Sequence, residues 1–370
     1  MKLLLINEVL GTGSTGKIVK GLAEEYLANG WDVRVAYGRS GDIPNECKPY
    51  GVRIGSDVDV KKAALECRLF DNAGFSNRKA TEKFIQWAES WQPDIVWMHN
   101  LHGYYINIEV LFGWLKRHPE IENKWTLHDC WAFTGHCAYF MIAGCDKWKT
   151  HCGNCPQRGE YPKSLFRDDS FRNFDRKKAA FSNVSNLTLI TPSQWLVDLV
   201  GESFLKEYSV EVHYNSIDTD VFKPTPSDFR QKYHLEGKIV ILGVANIWSE
   251  RKGFNDFLKL AEMLDDRYRI VLVGLSEKQR KNLPVNIIGL GRTGSQKELA
   301  KIYTAADVFV NPTYEDNFPT VNLEAEACGT PVITYDTGGC RETIEKKESL
   351  VVQVGDIQQL NILIESALPI

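Results

Sequence analysis

The sequence is expected to fold as two α/β domains, each built on a parallel sheet, and three observations lead there. Short apolar runs recur along the whole chain, and most are apolar throughout rather than alternating, as strands covered on both faces require. Helical stretches separate these runs, and strand–helix alternation builds parallel sheets from βαβ units. Residues 222–228 read FKPTPSD, with two prolines in three positions, which suits a linker. A chain of 370 residues is long enough for two such domains. The boundary is expected at residue 225, with 1–225 forming one Rossmann-like domain and 226–370 the other.

In the first half, strands are expected at 2–7, 32–37, 94–99, 125–128 and 187–191. In the second half they are expected at 238–244, 269–273, 286–288, 307–311 and 331–335. Helical patterning is clearest at 17–29, 253–264, 296–305 and 320–328. The last of these is well bounded. Pro319 suits a first helical turn, where no N–H is needed, and Gly329 suits a C-cap.

Composition excludes several classes. A 43% hydrophobic share can fill a core and a 25% charged share is ordinary, so the chain is not disordered. Lys and Arg number 44 against 48 Asp and Glu, a net charge of −4, which gives no drive toward nucleic acid. The N-terminal apolar run, Leu3 to Ile6, is too short for a signal peptide. No stretch approaches the roughly 20 apolar residues of a membrane helix. The expected location is therefore the cytoplasm, where thiols stay reduced and clustered cysteines mean metal binding or packing.

In open α/β sheets, ligands gather beyond the carboxyl ends of the strands, so the polar residues there are the candidates for a site. After the first strand comes GTGSTGKI at 11–18, which satisfies G-x-G-x-x-G and nearly satisfies the P-loop pattern. Ile18 cannot supply the P-loop hydroxyl, and AYGR at 36–39 lacks the acid that holds a dinucleotide ribose. What survives is a helix start at Gly13, Ser14, Thr15 and Gly16, whose N–H groups suit an anion or polar ligand; the alternative is a plain turn. Two further strand ends carry His99-Asn100-Leu101-His102 and His128-Asp129. Of these, His128 is favoured as functional, because its ring could hydrogen-bond a sugar hydroxyl or a developing charge.

In the second half, NIWSERKG at 246–253 places Arg251 and Lys252 before a helix start, a combination that suits a diphosphate. PTYEDNFP at 312–319 follows another strand. Asp316 in this loop and Glu324 on the following helix lie eight positions apart, and both can accept hydrogen bonds from sugar hydroxyls. Exposed acids are the plain alternative.

The segment YEDNFPTVNLEAEACGTPVI at 314–333 resembles the acidic-x7-Glu signature of glycosyltransferase family 4. Further similarity lies in Arg251-Lys252-Gly253, NSIDTDVF at 215–222, Thr191-Pro192-Ser193 and TAADVFV at 304–310. HDCWAFTGHC at 128–137 is similar to a subgroup of colanic acid and capsular polysaccharide glycosyltransferases. The resemblance implies the GT-B fold, two Rossmann-like domains facing a cleft, and a retaining enzyme of surface polysaccharide biosynthesis. It implies a UDP- or GDP-linked sugar donor on the C-terminal domain and a lipid-linked or oligosaccharide acceptor on the N-terminal one, with no metal needed for catalysis. By residue, it implies that Lys252, with Arg251 and Asn246 nearby, meets the donor diphosphate, and that Glu324 meets the ribose. Asp316, with the backbone of Asn317, Phe318 and Pro319, would hold the transferred sugar; Gly291, Arg292 and Thr293 would bind the base; His128 would approach the sugar. The catalytic set is then His128, Asp316 and Lys252.

The chain departs from the family pattern in three places. Asp316 stands where Glu is usual, Asn246 stands where Arg is usual, and the family commonly has a longer tail than one ending at Ile370. Two further classes compete: a nicotinamide-dependent oxidoreductase, from the glycine pattern, and a catalytically weak nucleotide-sugar binding protein, from the departures.

A Cys-rich insertion is expected at about 130–160. Cys137, Cys145, Cys152 and Cys155 could hold a structural zinc, or pack as reduced thiols among Trp131, Phe133 and Trp148. The following segment carries Arg158, Lys163, Arg167, Arg172, Arg176, Lys177 and Lys178 against Glu160, Asp168, Asp169 and Asp175, so 7 − 4 gives +3. With Phe166, Phe171, Phe174 and Phe181 interleaved, it reads either as a peripheral contact with the inner face of the plasma membrane or as a solvated helix with an aromatic core face.

Overall fold

The computed structural model describes residues 1–367 apart from Ser40 and Asp42. It divides into two units, Met1–His213 and Tyr214–Ile370. The first holds a parallel sheet of β1 (Lys2–Asn7), β2 (Asp32–Tyr37), β3 (Gly51–Arg53), β4 (Ile95–Met98), β5 (Glu122–Thr126), β6 (Leu187–Thr191) and β7 (Ser209–Val212), in the order β3-β2-β1-β4-β5-β6-β7. The second holds β8 (Ile239–Val244), β9 (Tyr268–Val273), β10 (Ile287–Leu290), β11 (Val308–Asn311), β12 (Val332–Tyr335) and β13 (Leu350–Val352), in the order β10-β9-β8-β11-β12-β13. All pairings are parallel. Both sheets are thus of the Rossmann type, each with a switch point beside its first strand.

The continuous apolar runs have a direct cause. In β1, Leu4 and Ile6 feed one core cluster while Leu3 and Leu5 feed another. In β8, Ile241 faces one cluster while Val240 and Leu242 face the other. Each face of the sheet is covered, so successive side chains, which point to opposite faces, must both be apolar.

Three strands lie outside those expected from the sequence: β3 and β7 carry no continuous apolar run, and β13, Leu-Val-Val, is only three residues long. All three are edge strands, and most of their residues are only partly buried, so burial constrains their side chains less than in the central strands. The expected strand at 125–128 begins earlier, at Glu122, and ends at Thr126; it takes in the buried polar Asn123, whose side-chain N–H groups donate to the carbonyls of Ile121 at 3.0 Å and Ser185 at 3.3 Å. The helix expected from residue 17 starts at Gly13.

The boundary also differs from 225. Phe222 is buried in a cluster with Phe229 and Tyr303, and the Thr225 N–H donates to Thr304 Oγ1 at 2.9 Å. The prolines therefore lie on a segment already packed against the second unit, drawn there by Ile217, Val221 and Phe222. Phe222→Ala is expected to destabilise the second unit by about 3–5 kcal/mol, the usual cost of emptying a buried Phe site. Denaturant unfolding should show it, and a loss under about 1 kcal/mol would contradict this packing.

Candidate active site

The switch point of the second sheet lies between β8 and β11, and the loops leaving these two strands meet. The loop after β8 makes a single 3-10 turn, Glu250–Lys252, followed by the helix Phe254–Met263. The loop after β11 runs through Asp316 to the helix Thr320–Ala327. The Arg251 carbonyl accepts from the Tyr314 N–H at 2.8 Å, and the Arg251 guanidinium donates to the Glu315 carbonyl at 2.7 Å. The Lys252 ammonium forms an ion pair with the Asp316 carboxylate.

Two glycines make this approach possible. A Cβ on Gly253 would lie 2.2 Å from the Pro312 carbonyl oxygen, and one on Gly338 would lie 1.7 Å from that of Asp316. Both also have positive φ, at 71° and 55°, a conformation that costs a side-chain-bearing residue about 1 kcal/mol or more. A third support is Asp256, buried on the helix after Gly253, which accepts from the Tyr314 hydroxyl at 2.8 Å and the Tyr335 hydroxyl at 2.9 Å. Burial and then the Asp256 hydrogen bond push the Tyr314 phenol up to about 12, so it keeps its proton and stays a donor.

Around this centre, Phe318 is buried and stacks on Tyr214 with ring centroids 5.2 Å apart. Asn317 is buried as well. Pro319 precedes the helix Thr320–Ala327, whose N-terminus has no side-chain cap, leaving first-turn N–H groups for a ligand. Glu324 accepts from the buried Tyr303 hydroxyl at 3.0 Å, whose proton is retained because burial first, and Glu324 second, push it well up. Arg292 donates to the Asn246 carbonyl at 3.3 Å, joining the loops after β10 and β8. Gly291, Arg292 and Thr293 line a cavity of about 400 Å³ together with Phe229, Tyr233 and Glu298.

In the first unit, Gly13, Ser14, Thr15 and Gly16 form the opening turn of the helix Gly13–Ala28, next to β1. Its N-cap, Thr12, makes no side-chain cap hydrogen bond. At the ends of β4 and β5, His99 Nδ1 and His128 Nε2 lie 3.1 Å apart. Burial is the largest influence on His128; against the pull of Asp129, and helped by His102, it lowers the ring to about 4, so His128 is neutral near pH 7. His102 takes the opposite course. Burial alone would lower it, but Asp129 at 2.8 Å overrides that and raises it, while Tyr161 lies 3.0 Å from its other nitrogen.

With this geometry in view, three comparisons bear on identity. The family model described as "Glycosyl transferases group 1" matches residues 225–369. A putative colanic acid biosynthesis glycosyl transferase, WcaC, of Escherichia coli is 24% identical over 371 residues, covering 97% of this chain and 89% of that protein. Residues 225–369 thus match the group 1 glycosyl transferases, and the chain is similar to a glycosyl transferase over nearly its whole length.

Solved structures agree on the fold. Sucrose-phosphate synthase from Thermosynechococcus elongatus matches with a TM-score of 0.70 at 20% identity, covering 99% of this chain and 89% of that one. The Anabaena protein HepE, solved in complex with UDP, matches with a TM-score of 0.68 at 16% identity and the same coverage. The glycosyl transferase therefore has the expected GT-B fold, and the nicotinamide-dependent and non-catalytic readings give way to a glycosyltransferase.

The sequence-derived residues fall into groups. Lys252, Asp316 and Arg251 come together, as do Asn246 and Arg292. Gly13–Gly16 and His128 belong to the first unit. The four-thiol zinc set is not assembled: among the described residues no group of three or more His, Cys, Asp or Glu side chains could hold a metal ion. The Cys137 thiol instead donates to Cys155, which that bond holds at about 7, and the Gly135 N–H donates to Cys152 Sγ at 3.2 Å. The thiols pack against a cluster containing Trp131, Phe133 and Trp148.

Sequence reasoning missed Asp256, Tyr303, Tyr161 and Glu8. Glu8 follows β1 directly and pairs with Arg39 at 3.4 Å, so its position after a strand was an available signal.

Because His128 sits below its ordinary 6.5 when folded, the folded chain resists protonating it while the unfolded chain does not. Its contribution to stability is present above about pH 6.5 and is lost as pH falls toward about 4. In an NMR titration, the His128 ring resonance, assigned by loss in H128Q, should stay unshifted from about pH 8 to about pH 5. A midpoint near the ordinary value would contradict the neutral pair.

Proposed function

We propose that this glycosyltransferase moves a sugar from a UDP-linked donor to a lipid-linked or oligosaccharide acceptor, with retention at the anomeric carbon, in the building of a surface polysaccharide. The single observation that carries the reading is the Lys252–Asp316 pair at the switch point of the second sheet, beside an uncapped helix start. Support for the donor comes from HepE, solved with UDP and with UDP-glucose. Support for the acceptor comes from WcaC and from a Campylobacter jejuni N,N'-diacetylbacillosaminyl-diphospho-undecaprenol alpha-1,3-N-acetylgalactosaminyltransferase, 30% identical over 120 residues, 31% of each chain. GDP is the second donor base to test.

The chemistry asks one main thing of the protein. As the bond from the anomeric carbon to the β-phosphate oxygen breaks, negative charge grows on the departing nucleoside diphosphate. Lys252, released toward that phosphate from its pair with Asp316, stabilises this charge, with Arg251 and first-turn N–H groups of the helix Thr320–Ala327 beside it. Asp316, freed from Lys252, accepts from a hydroxyl of the transferred sugar. Glu324, already oriented by Tyr303, accepts from the ribose hydroxyls. The acceptor oxygen bonds to the anomeric carbon on the face the phosphate leaves, and its proton passes to a phosphate oxygen. Neutral His128 hydrogen-bonds a sugar hydroxyl, and the Gly13–Gly16 turn offers N–H groups to a polar substrate group. No metal is needed for these steps, since Lys252, Arg251 and the helix N–H groups answer the charge on the leaving group.

Lys252→Ala is expected to lower kcat by about 10²–10³, the cost of removing one preorganised donor to a developing anion; near-normal turnover would remove Lys252 from the role. Glu324→Gln is expected to weaken donor binding about tenfold by calorimetry, since one charge-assisted hydrogen bond is lost. An unchanged donor dissociation constant would take the ribose contact away from Glu324.

A further inference from the structure

The first unit exposes a group of large apolar side chains that its core does not use. Phe166 is 73% exposed, Phe171 63%, Phe70 51% and Leu165 48%. Exposed apolar clusters rimmed by charge mark contact surfaces more often than chance. These residues belong to one neighbourhood, because the end of the helix Asp57–Phe70 anchors the others. The Leu165 N–H donates to the Arg68 carbonyl at 2.8 Å, and the Asp169 N–H, just before Phe171, donates to Asp71 Oδ2 at 2.9 Å.

The tip is held rather than frayed. The Arg158 guanidinium donates to the Phe166 carbonyl at 3.3 Å, and the Ser164 hydroxyl donates to the Arg167 carbonyl at 2.6 Å. Two aromatic or aliphatic side chains in succession, Leu165 and Phe166, are therefore presented to solvent by a backbone with its own hydrogen bonds.

The charges around the tip are sorted by sign. Asp168 turns inward and accepts from the Cys155 N–H at 2.6 Å and the Ser170 N–H at 2.9 Å. Asp169 pairs with Arg167 at 3.1 Å and Asp175 with His151 at 2.9 Å. Among the described residues, Arg68, Lys163 and Arg172 form no ion pair, and all three are exposed. Glu160 and Asp175, the latter beside the His151 ring, are exposed acids nearby. The result is an apolar tip ringed by uncommitted cations, complementary to a surface that is apolar within and anionic at its face.

We propose that this tip, Leu165 and Phe166 with Phe171 and Phe70, docks on an anionic lipid bilayer, with Arg68, Lys163 and Arg172 at the headgroups. The surface goes beyond the transfer reading and stands without it. It also has a link to the strand ends: Tyr161, on the same loop and 42% exposed, reaches back to His102, and His102 to Asp129 beside His128. A docked tip would thus hold the ends of β4 and β5 near a membrane surface.

The test is sedimentation of the full chain with vesicles of phosphatidylcholine and phosphatidylglycerol, against phosphatidylcholine alone. The wild type should pellet with the anionic vesicles, less so as salt rises. K163Q/R172Q should bind roughly 30-fold more weakly, since each cation near an anionic surface contributes about one kcal/mol. L165S/F166S should lose at least about tenfold. An unchanged unfolding midpoint confirms that each variant folds. Wild-type protein that ignores anionic vesicles, or variants that bind as well as wild type, would overturn the proposal. So would concentration-dependent dimers that vanish in L165S/F166S, which would make the tip a self-association surface. The assay contains no donor or acceptor, so its failure leaves the transfer reading standing.

Discussion

The pairing of Lys252 with Asp316 is the constraint around which the second unit is arranged. The pair requires two backbone segments to approach more closely than any side chain would permit, at Gly253 against Pro312 and at Gly338 against Asp316. Strand order supplies the rest. β8 and β11 are neighbours across a switch point, so the loops beyond their carboxyl ends arrive at one place and each brings one charge. Asp256 then ties the helix of one loop to the tyrosines Tyr314 and Tyr335. A cation held by a carboxylate is ready for exchange: a diphosphate that takes Lys252 frees Asp316 for a hydroxyl at the same moment.

The first unit handles charge differently. Its strand ends hold a neutral histidine pair, His99 and His128, next to an ionised one, His102 with Asp129. Burial favours the neutral form, and only the ring that meets a carboxylate directly escapes that pressure. Below them lies Lys177, buried over the face of Trp131 at 3.6 Å and donating to the carbonyls of Trp131 at 2.7 Å and Thr134 at 3.0 Å. Burial pushes it down to about 7. It ties down the loop that begins at His128-Asp129, through the carbonyls of Trp131 and Thr134.

How much of this was legible in the sequence depended on burial. The central strands were, because cover on both faces writes a continuous apolar run such as Leu3 to Ile6. The edge strands β3, β7 and β13 were not, because they are short, three or four residues, and mostly only partly buried. Lys252, Asp316 and Glu324 stood out by their places after strands and before a helix. Asp256 and Tyr303 did not, since they act through other residues and look like any polar position on a helix until their partners are known. The prolines at 224 and 226 gave a true break in pattern but a displaced boundary, because Phe222 pulls the preceding segment onto the second unit. Cysteine spacing suggested four ligands, but spacing along the chain does not fix where thiols point, and here the Cys137 thiol hydrogen-bonds Cys155.

The central claim is that the second unit binds a nucleoside diphosphate through its switch-point loops. The most direct measurement is the unfolding temperature of the full chain across a concentration series of UDP and of GDP. For at least one of them, Tm should rise steadily with the logarithm of concentration, as mass action requires of a ligand bound to the folded state. A flat response to both, at concentrations up to the millimolar range where even weak sites fill, would contradict it.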